Sequence, residues 1–128
     1  MRILYVDDDE VLREIAAWAL DEREELDVRM AASGMEALAI VDAGGWIPDL
    51  VVLDAKMPEM DGPQTFAGLR KRSALADTRV AFVTAAERGE RDGLLALGAD
   101  AVIGKPFDPE TLAETLVRVG SSPRRSVR

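Results

Sequence analysis

The 128-residue sequence contains neither cysteine nor histidine. The lack of cysteine excludes disulfides, thiolate metal sites and cysteine catalysis. The lack of histidine removes the usual general base, the serine triad and the common zinc ligands, so that any chemistry must come from carboxylates, hydroxyls, lysine or a bound metal. No apolar run approaches the length of about 18 residues that a membrane span needs, and the chain opens directly into a strand pattern without a signal segment. We therefore expect a cytoplasmic protein with no membrane partner.

Basic residues are also few relative to acidic ones. The chain has 16 lysines and arginines against 24 aspartates and glutamates, which gives a net charge of -8. This balance argues against direct binding of nucleic acid and favours a metal cation or a basic partner. The length is that of one ordinary domain, which we expect to occupy residues 1–120, followed by a flexible basic tail at residues 121–128.

Four short apolar runs and one weaker strand segment, residues 28–31, recur along the chain, and each precedes a segment with the apolar spacing of an amphipathic helix. The runs are too short for helices, so we interpret them as buried strands. Five rounds of strand then helix predict an α/β fold in which a parallel sheet is sandwiched by five helices. The predicted strands are residues 3–6, 28–31, 50–53, 80–83 and 101–103.

Local signals predict the helix starts and the role of the two tryptophans. Serine and aspartate residues stand immediately before the helical segments, where their side chains can accept hydrogen bonds from free backbone N–H groups. The predicted caps are Asp8 or Asp9, Ser33, Asp61 and the pair Asp108-Pro109, and Gly120 is expected to end the last helix.

Trp18 and Trp46 are interpreted as packing residues rather than as anchors for a partner.

Polar side chains follow four of the predicted strands at the point where each strand ends. Asp7 and Asp8 follow the first, Asp54 the third, Thr84 the fourth and Lys105 the fifth. Because the carboxyl ends of parallel strands meet at one edge of a sheet, we expect these side chains to converge there. Clustered carboxylates raise one another's pKa unless a cation shares the site, and a hard divalent cation fits an all-oxygen site. The set predicts a metal site in which Asp54 can accept a phosphoryl group, with Thr84 and Lys105 on the phosphate oxygens.

Each of these residues also has an ordinary structural explanation. An acidic cluster before a helix is usually a cap, and an aspartate at a strand end often forms a turn. Thr84 could cap the next helix, and Lys105 could be a surface lysine. The arrival of the whole set at one sheet edge favours the functional interpretation.

The same residues carry a resemblance to a known family. The segments YVDDDE, VVLDAKMPEMDG, VAFVTA and GADAVIGKPF, in that order, closely resemble the receiver domain of bacterial response regulators. The resemblance covers about residues 2–119. It implies a flavodoxin-like, doubly wound fold with the strand order 2-1-3-4-5.

The resemblance implies a phosphoacceptor in a two-component system or phosphorelay. Asp54 would take a phosphoryl group from the phosphohistidine of a sensor histidine kinase or a histidine phosphotransfer protein, and the domain would promote its own phosphorylation and dephosphorylation rather than act as a conventional enzyme. Phosphorylation would switch contacts with a downstream protein target, and homodimerisation on phosphorylation is left open. Since the chain has no histidine, it cannot supply its own donor.

The resemblance also implies roles for the residues around the acceptor. Thr84 and Lys105 would sense the phosphate, and the peptide bond before Pro106 would be cis. Mg²⁺ or Mn²⁺ would be the cofactor. The implied metal ligands are Asp7, Asp8, Asp54 and the backbone carbonyl of Lys56.

Three positions modulate this picture. Val102 stands where many receivers carry an aromatic residue that swings inward on activation, so the signal must use another two-state element. Lys56 is a long cation two residues after the acceptor. We hypothesise that its ammonium partly replaces the metal when none is bound, and that it obstructs the hydrolytic water once phosphate is present. Ala86, two residues past Thr84, is small and leaves the other side open.

Two other functions compete with the receiver. Residues 7–11 fit D-x-D-x-V and resemble the first motif of haloacid-dehalogenase-like phosphatases, which would make Asp7 the phosphorylated residue instead of Asp54. That family needs a further acidic motif after its lysine, and here only Asp108 and Glu110 follow Lys105. The second competitor is a pseudo-receiver, a binding module that keeps the fold without phosphorylation, and the complete acidic set argues against it.

Overall fold

A computed structural model of the chain describes residues 1–85 and 87–123. The described residues form one five-stranded sheet, five α-helices and a short 3-10 helix at Ser73–Leu75. Ala86 and residues 124–128 lie outside the described residues, and with them the predictions of an open side at Ala86 and of most of the basic tail. The strands are β1 (Arg2–Val6), β2 (Asp27–Ala31), β3 (Leu50–Asp54), β4 (Arg79–Thr84) and β5 (Ala101–Gly104). The helices are α1 (Glu10–Asp21), α2 (Gly34–Asp42), α3 (Gly62–Arg70), α4 (Arg88–Ala96) and α5 (Leu112–Ser121).

The sheet is parallel throughout and has the order β2-β1-β3-β4-β5, which confirms the predicted fold. The central strand β3 is buried along its whole length. Asp54 and Thr84 are the last residues of their strands rather than the first residues of the following loops, and Asp54 is paired with Val83. All five strands therefore deliver their carboxyl ends to one edge of the sheet.

Helices cover both faces of the sheet. Alternate strand residues point to opposite faces, so each strand contributes side chains to two separate apolar cores. One core packs against α2, α3 and α4, and the other packs against α1 and α5. None of the helices in the described part of the chain is long and apolar enough to cross a membrane.

Three of the predicted helix caps are present. The Asp9 carboxylate accepts hydrogen bonds from two backbone N–H groups in the first turn of α1, and the Ser33 hydroxyl accepts one from Glu36 at the start of α2. At the start of α3, Asp61 and Gln64 bond to each other's backbone N–H groups in a reciprocal capping box. These bonds satisfy N–H groups that have no partner inside the helix.

The predicted limits of the last helix are wrong at both ends. The N-cap of α5 is Thr111, not the Asp108-Pro109 pair, because the Asp108 carboxylate accepts a hydrogen bond from the backbone N–H of Glu110 (2.9 Å) in a turn that precedes the helix. The helix ends at Ser121, one residue beyond Gly120. The first residue assigned to the tail is therefore helical.

The two tryptophans lie in opposite environments. Trp46 is buried, and its indole N–H donates a hydrogen bond to the Asp27 carboxylate (2.9 Å) while the Arg29 guanidinium lies 4.5 Å from the ring centroid. Trp18 on α1 is 73% exposed. The packing role predicted for Trp46 is confirmed, and the same prediction for Trp18 is wrong.

Candidate functional site

The carboxyl edge of the sheet brings three carboxylates together. β1 and β3 are neighbours in which Val6 is paired with Leu53, so the next residues along each strand, Asp7 and Asp54, lie side by side. One carboxylate oxygen from each of Asp7, Asp8 and Asp54 lies within 4.8 Å of the other two. Asp7 and Asp54 are buried, whereas Asp8 is exposed at the mouth of the site.

Asp7 is held by bonds to its backbone and to one carboxylate oxygen. Its N–H donates to the carbonyl of Ala31 (3.1 Å), and its carbonyl accepts from the Arg13 guanidinium (2.7 Å). The backbone N–H of Asp9 donates to Asp7 Oδ1 (2.9 Å). The second oxygen, Asp7 Oδ2, is buried and accepts no hydrogen bond from any described residue. The fixed backbone therefore presents one carboxylate oxygen that has capacity for a further partner.

Lys105 is the cation beside the acids. Its Nζ lies 3.2 Å from Asp54 Oδ1 and 3.6 Å from Asp7 Oδ2. The backbone N–H of Lys105 donates to the carbonyl of Thr84 (2.9 Å), which ties the loop after β5 to the end of β4. The peptide bond between Lys105 and Pro106 is cis. Lys105 thus contacts both buried carboxylates from the neighbouring loop.

Lys56 lies elsewhere. Its side chain is 73% exposed, and its Nζ lies 3.6 Å from the Glu90 carboxylate on α4. The backbone N–H of Lys56 donates to Asp54 Oδ1 (3.3 Å), so that its main chain, not its ammonium, contacts the acceptor. The hypothesis that the Lys56 ammonium replaces a metal is wrong for this structure, because Lys105 occupies that place and the exposed pair with Glu90 leaves Lys56 in solvent.

The surroundings of Asp54 weaken its acidity. Burial of the carboxyl group, followed by the negative charge of Asp7, raises the pKa of Asp54 to about 6. The Lys105 ammonium and the Lys56 backbone N–H act in the opposite direction, since both favour the ionised form. Asp54 is therefore a carboxylate at neutral pH that is more basic than an exposed aspartate, which favours nucleophilic attack on phosphorus.

The start of α3 presses against the backbone of Asp54. The N–H of Gly62 donates to the carbonyl of Ala55 (3.0 Å). A Cβ atom on Gly62 would lie 2.6 Å from the Asp54 carbonyl oxygen and 2.7 Å from the Ala55 Cα. Only glycine allows this approach, so the helix and the acceptor are held together at this point.

Thr84 is the last residue of β4, and Val102 lies within β5, which is the strand paired with β4. Thr84 is buried and is paired with Gly104. Val102 is partly buried in the core beneath α2, α3 and α4, and its carbonyl accepts a hydrogen bond from the Arg91 guanidinium of α4 (3.2 Å). Val102, which stands where many receivers carry an aromatic residue, is thus hydrogen-bonded to α4 through its backbone carbonyl.

Sequence reasoning missed several residues that contact the site. Arg13, Glu90 and Arg91 bond to groups in or beside it, and Tyr5 lies fully buried below the acids. No local sequence pattern marks the three charged residues. Arg13 and Arg91 bond to backbone carbonyls, which any residue offers, and Glu90 pairs with a lysine that is distant in the chain. The sequence pattern marks Tyr5 only as part of a predicted strand.

The donor set fits a hard divalent cation. Three carboxylates offer oxygen ligands within reach of one another, and one of them, Asp7, has a buried oxygen without a hydrogen bond. Magnesium prefers one or two carboxylates and keeps several waters, which the exposed side of Asp8 allows. The same carboxylates without a cation repel one another, and Lys105 neutralises only part of their charge.

Comparisons with known proteins point to one family. A family model described as the response regulator receiver domain matches residues 3–117. Response regulator Rre1 of Synechocystis sp. is 35% identical over 117 residues, which cover 91% of this chain and 49% of that protein. Sensor kinase CckA of Brucella abortus is 40% identical over 119 residues, which cover 89% of this chain and 12% of that protein. The chain therefore spans about half or less of the length of these relatives.

Solved structures agree with the family model. Chemotaxis protein CheY4 of Vibrio cholerae has a TM-score of 0.82 at 33% identity, covering 92% of this chain and 97% of that one. The receiver domain of the hybrid histidine kinase CckA has a TM-score of 0.76 at 32% identity, covering 94% of this chain and all of that one. The sheet order, the acidic edge and these matches agree, and the chain belongs to the response regulator receiver domain family.

Proposed function

We propose that the domain accepts a phosphoryl group on Asp54 from the phosphohistidine of a sensor histidine kinase or a histidine phosphotransfer protein. The observation that carries this proposal is the environment of Asp54: a buried carboxylate at a strand end, next to Asp7 and 3.2 Å from the Lys105 ammonium. Such a group is a nucleophile whose neighbours can balance the charge of an incoming phosphoryl group.

In the transfer step, an oxygen of the Asp54 carboxylate attacks phosphorus. The O–P bond forms as the P–N bond to the partner's imidazole breaks, and the imidazole takes up a proton as it leaves. Lys105 offers its ammonium to one phosphoryl oxygen, and the Thr84 hydroxyl donates to another. In hydrolysis, a water oxygen attacks phosphorus as the O–P bond to Asp54 breaks, which releases inorganic phosphate, regenerates the carboxylate and gives a proton to solvent.

Mg²⁺ or Mn²⁺ would be held by Asp7, Asp8, Asp54 and the Lys56 carbonyl. When bound, the cation supplies positive charge to the phosphoryl oxygens. The protein's own part is to fix the ligands: the main chain of Asp7 is bonded to Arg13, and one of its carboxylate oxygens accepts from the Asp9 N–H.

The surface beside the site supports a protein donor. An apolar cleft borders Lys105, and its lining includes Leu12 and Ile15 of α1 and Phe107 and Pro109 of the loop before α5. Exposed apolar surface next to a reactive group is typical of protein contacts. The sequence has no histidine, so the donor histidine lies outside residues 1–128. Phosphorylation then switches contacts with a downstream protein or with a second copy of the domain.

Labelling by acetyl phosphate with Mg²⁺ tests the acceptor. Intact-mass spectrometry should show one phosphoryl group on the wild-type protein and none on Asp54→Asn. Borohydride reduction of the acyl phosphate followed by peptide mapping identifies the modified residue directly. As a matched control, Asp49→Asn changes an acid whose carboxylate accepts from the Arg2 N–H at the opposite end of the sheet, and it should label normally.

Two outcomes would contradict the proposal. Modification mapped to Asp7, with labelling of Asp54→Asn intact, would favour the phosphatase that resembles the haloacid dehalogenases. No labelling by either acetyl phosphate or phosphohistidine donors, in a protein that still binds Mg²⁺, would favour the pseudo-receiver.

A further inference from the structure

Tyr5 lies directly below the acid cluster. It occupies β1, where it is paired with Val52 of β3, and it is 1% exposed. Its ring belongs to the core beneath α1 and α5. Because side chains alternate along a strand, Tyr5 and Asp7 point to the same face of the sheet, and Asp54 stands in the same relation to Val52. Asp7 therefore lies two residues beyond Tyr5 along the chain, and Asp54 lies two residues beyond Val52, the residue paired with Tyr5.

The phenol oxygen of Tyr5 makes no hydrogen bond with any described residue. Buried polar groups are almost always hydrogen-bonded, because burial without a partner loses the bonds that water made. A phenylalanine would fill the same space without that loss. Asp7 Oδ2 is the matching case on the same face: it is buried, it accepts no hydrogen bond, and Lys105 Nζ stands 3.6 Å away. A donor and an acceptor that are two residues apart along the chain therefore both lack hydrogen bonds among the described residues.

The phenol can donate a hydrogen bond towards the carboxylates. A tyrosine hydroxyl keeps its proton at neutral pH, since its usual pKa is about 10, whereas an ionised carboxylate offers only acceptors. A neutral donor beside carboxylates lowers the repulsion between them without competing with a metal for their charge.

We propose that Tyr5 is a positioning residue of the metal site, whose hydroxyl donates to a buried water that in turn donates to Asp7 Oδ2. Buried waters typically bridge polar groups that the protein leaves unpaired, and the two oxygens make no direct hydrogen bond. The bridge turns the Asp7 carboxylate so that it faces the cation. This inference rests on the proposed function, because it assumes that Asp7 is a metal ligand.

Tyr5→Phe tests the bridge, because it removes the hydroxyl and leaves the ring in place. Mn²⁺ binding to the unphosphorylated protein, measured by the loss of the free-ion electron paramagnetic resonance signal, should weaken roughly three- to tenfold. The metal-free midpoint of urea unfolding should fall only slightly, because the ring keeps its packing and only one hydrogen bond, to the buried water, is lost. Val52→Ala is the matched control: it damages packing beside Tyr5 and should lower the unfolding midpoint without weakening Mn²⁺ binding.

The chain offers a direct spectroscopic probe as well. Tyr5 is its single tyrosine, so the tyrosine Fermi doublet in ultraviolet resonance Raman spectra reports on this hydroxyl alone. The doublet should indicate a hydrogen-bond donor, and its intensity ratio should change when Mg²⁺ is added.

The outcomes separate the two proposals. The role of Tyr5 is overturned if Tyr5→Phe binds Mn²⁺ as tightly as wild type, or if Val52→Ala loses as much affinity as Tyr5→Phe. In either case the metal site itself still stands, provided that Asp7→Asn abolishes Mn²⁺ binding. If the wild-type protein does not bind Mn²⁺ at all, the proposed metal site itself is wrong.

Discussion

Neutralising the acceptor should stabilise the metal-free domain. Asp54→Asn keeps the shape of the side chain and removes a charge that burial and Asp7 make unfavourable. The folded-state pKa of about 6 lies above the unfolded value of 3.8, so between these values the unfolded state binds fewer protons and stability falls as pH rises. At about 1.4 kcal/mol for each tenfold change in proton affinity, the substitution should add roughly 3 kcal/mol to the free energy of unfolding above pH 6.

Urea unfolding in the presence of a chelator measures this gain. The difference between Asp54→Asn and wild type should be near zero at about pH 3 and should reach its full size by about pH 7, with no change in the denaturant slope. Saturating Mg²⁺ should reduce the stability difference between Asp54→Asn and wild type, because the cation stabilises the folded wild-type protein more than the variant, which lacks the Asp54 carboxylate. An equal gain at both ends of the pH range would refute the electrostatic explanation.

A second acid provides a control of opposite sign. The hydrogen bonds from the Arg72 guanidinium (2.7 Å each) lower the pKa of Asp42, so its ionised form contributes stability above its unfolded pKa. That contribution is lost as pH falls through the folded-state value. Asp42→Asn should therefore lower stability at neutral pH and have no effect at the acidic end, the reverse of Asp54→Asn.

Three further substitutions test the contacts around the acceptor. Gly62→Ala should lower the free energy of unfolding by about 1–3 kcal/mol, measured by urea unfolding, because its Cβ would meet the Asp54 carbonyl oxygen at 2.6 Å. Lys105→Met should destabilise the metal-free protein, since Asp7 and Asp54 lose their shared cation, and Mg²⁺ should restore more stability to it than to wild type in thermal denaturation. Lys56→Asn should change stability by less than about 0.5 kcal/mol, because its ion pair is exposed, and should shorten the acyl-phosphate lifetime in a phosphate-release assay if the side chain obstructs water.

The parts of the structure that local chemistry decides were predictable from sequence. The caps at Ser33 and Asp61 depend on residues three positions apart, and the convergence of Asp7, Asp54 and Lys105 follows once the strands are parallel. The caps need no knowledge of packing between distant segments, and the convergence needs only the parallel arrangement of the strands.

Two of the failures occurred where packing against other segments decided the outcome, and a third where a local turn did. The Lys56 ammonium forms an ion pair with Glu90, which lies in a helix far along the chain, rather than with the nearby acids. Trp18 is exposed because neighbouring elements do not cover the edge of the apolar face of α1, and helical spacing alone does not reveal where that cover ends. Asp108 has the right residue type for a cap, but its turn with Glu110 delays the helix.

The contrast between the two tryptophans has a practical consequence. The chain has only these two, and an aqueous quencher such as iodide reaches exposed Trp18 far more readily than buried Trp46. Quenching therefore divides the emission into a component from the outer surface of α1 and one from the interior near β2. A partner that covers α1 would protect the first component and leave the second unchanged, so docking could be followed on the native protein without an attached dye.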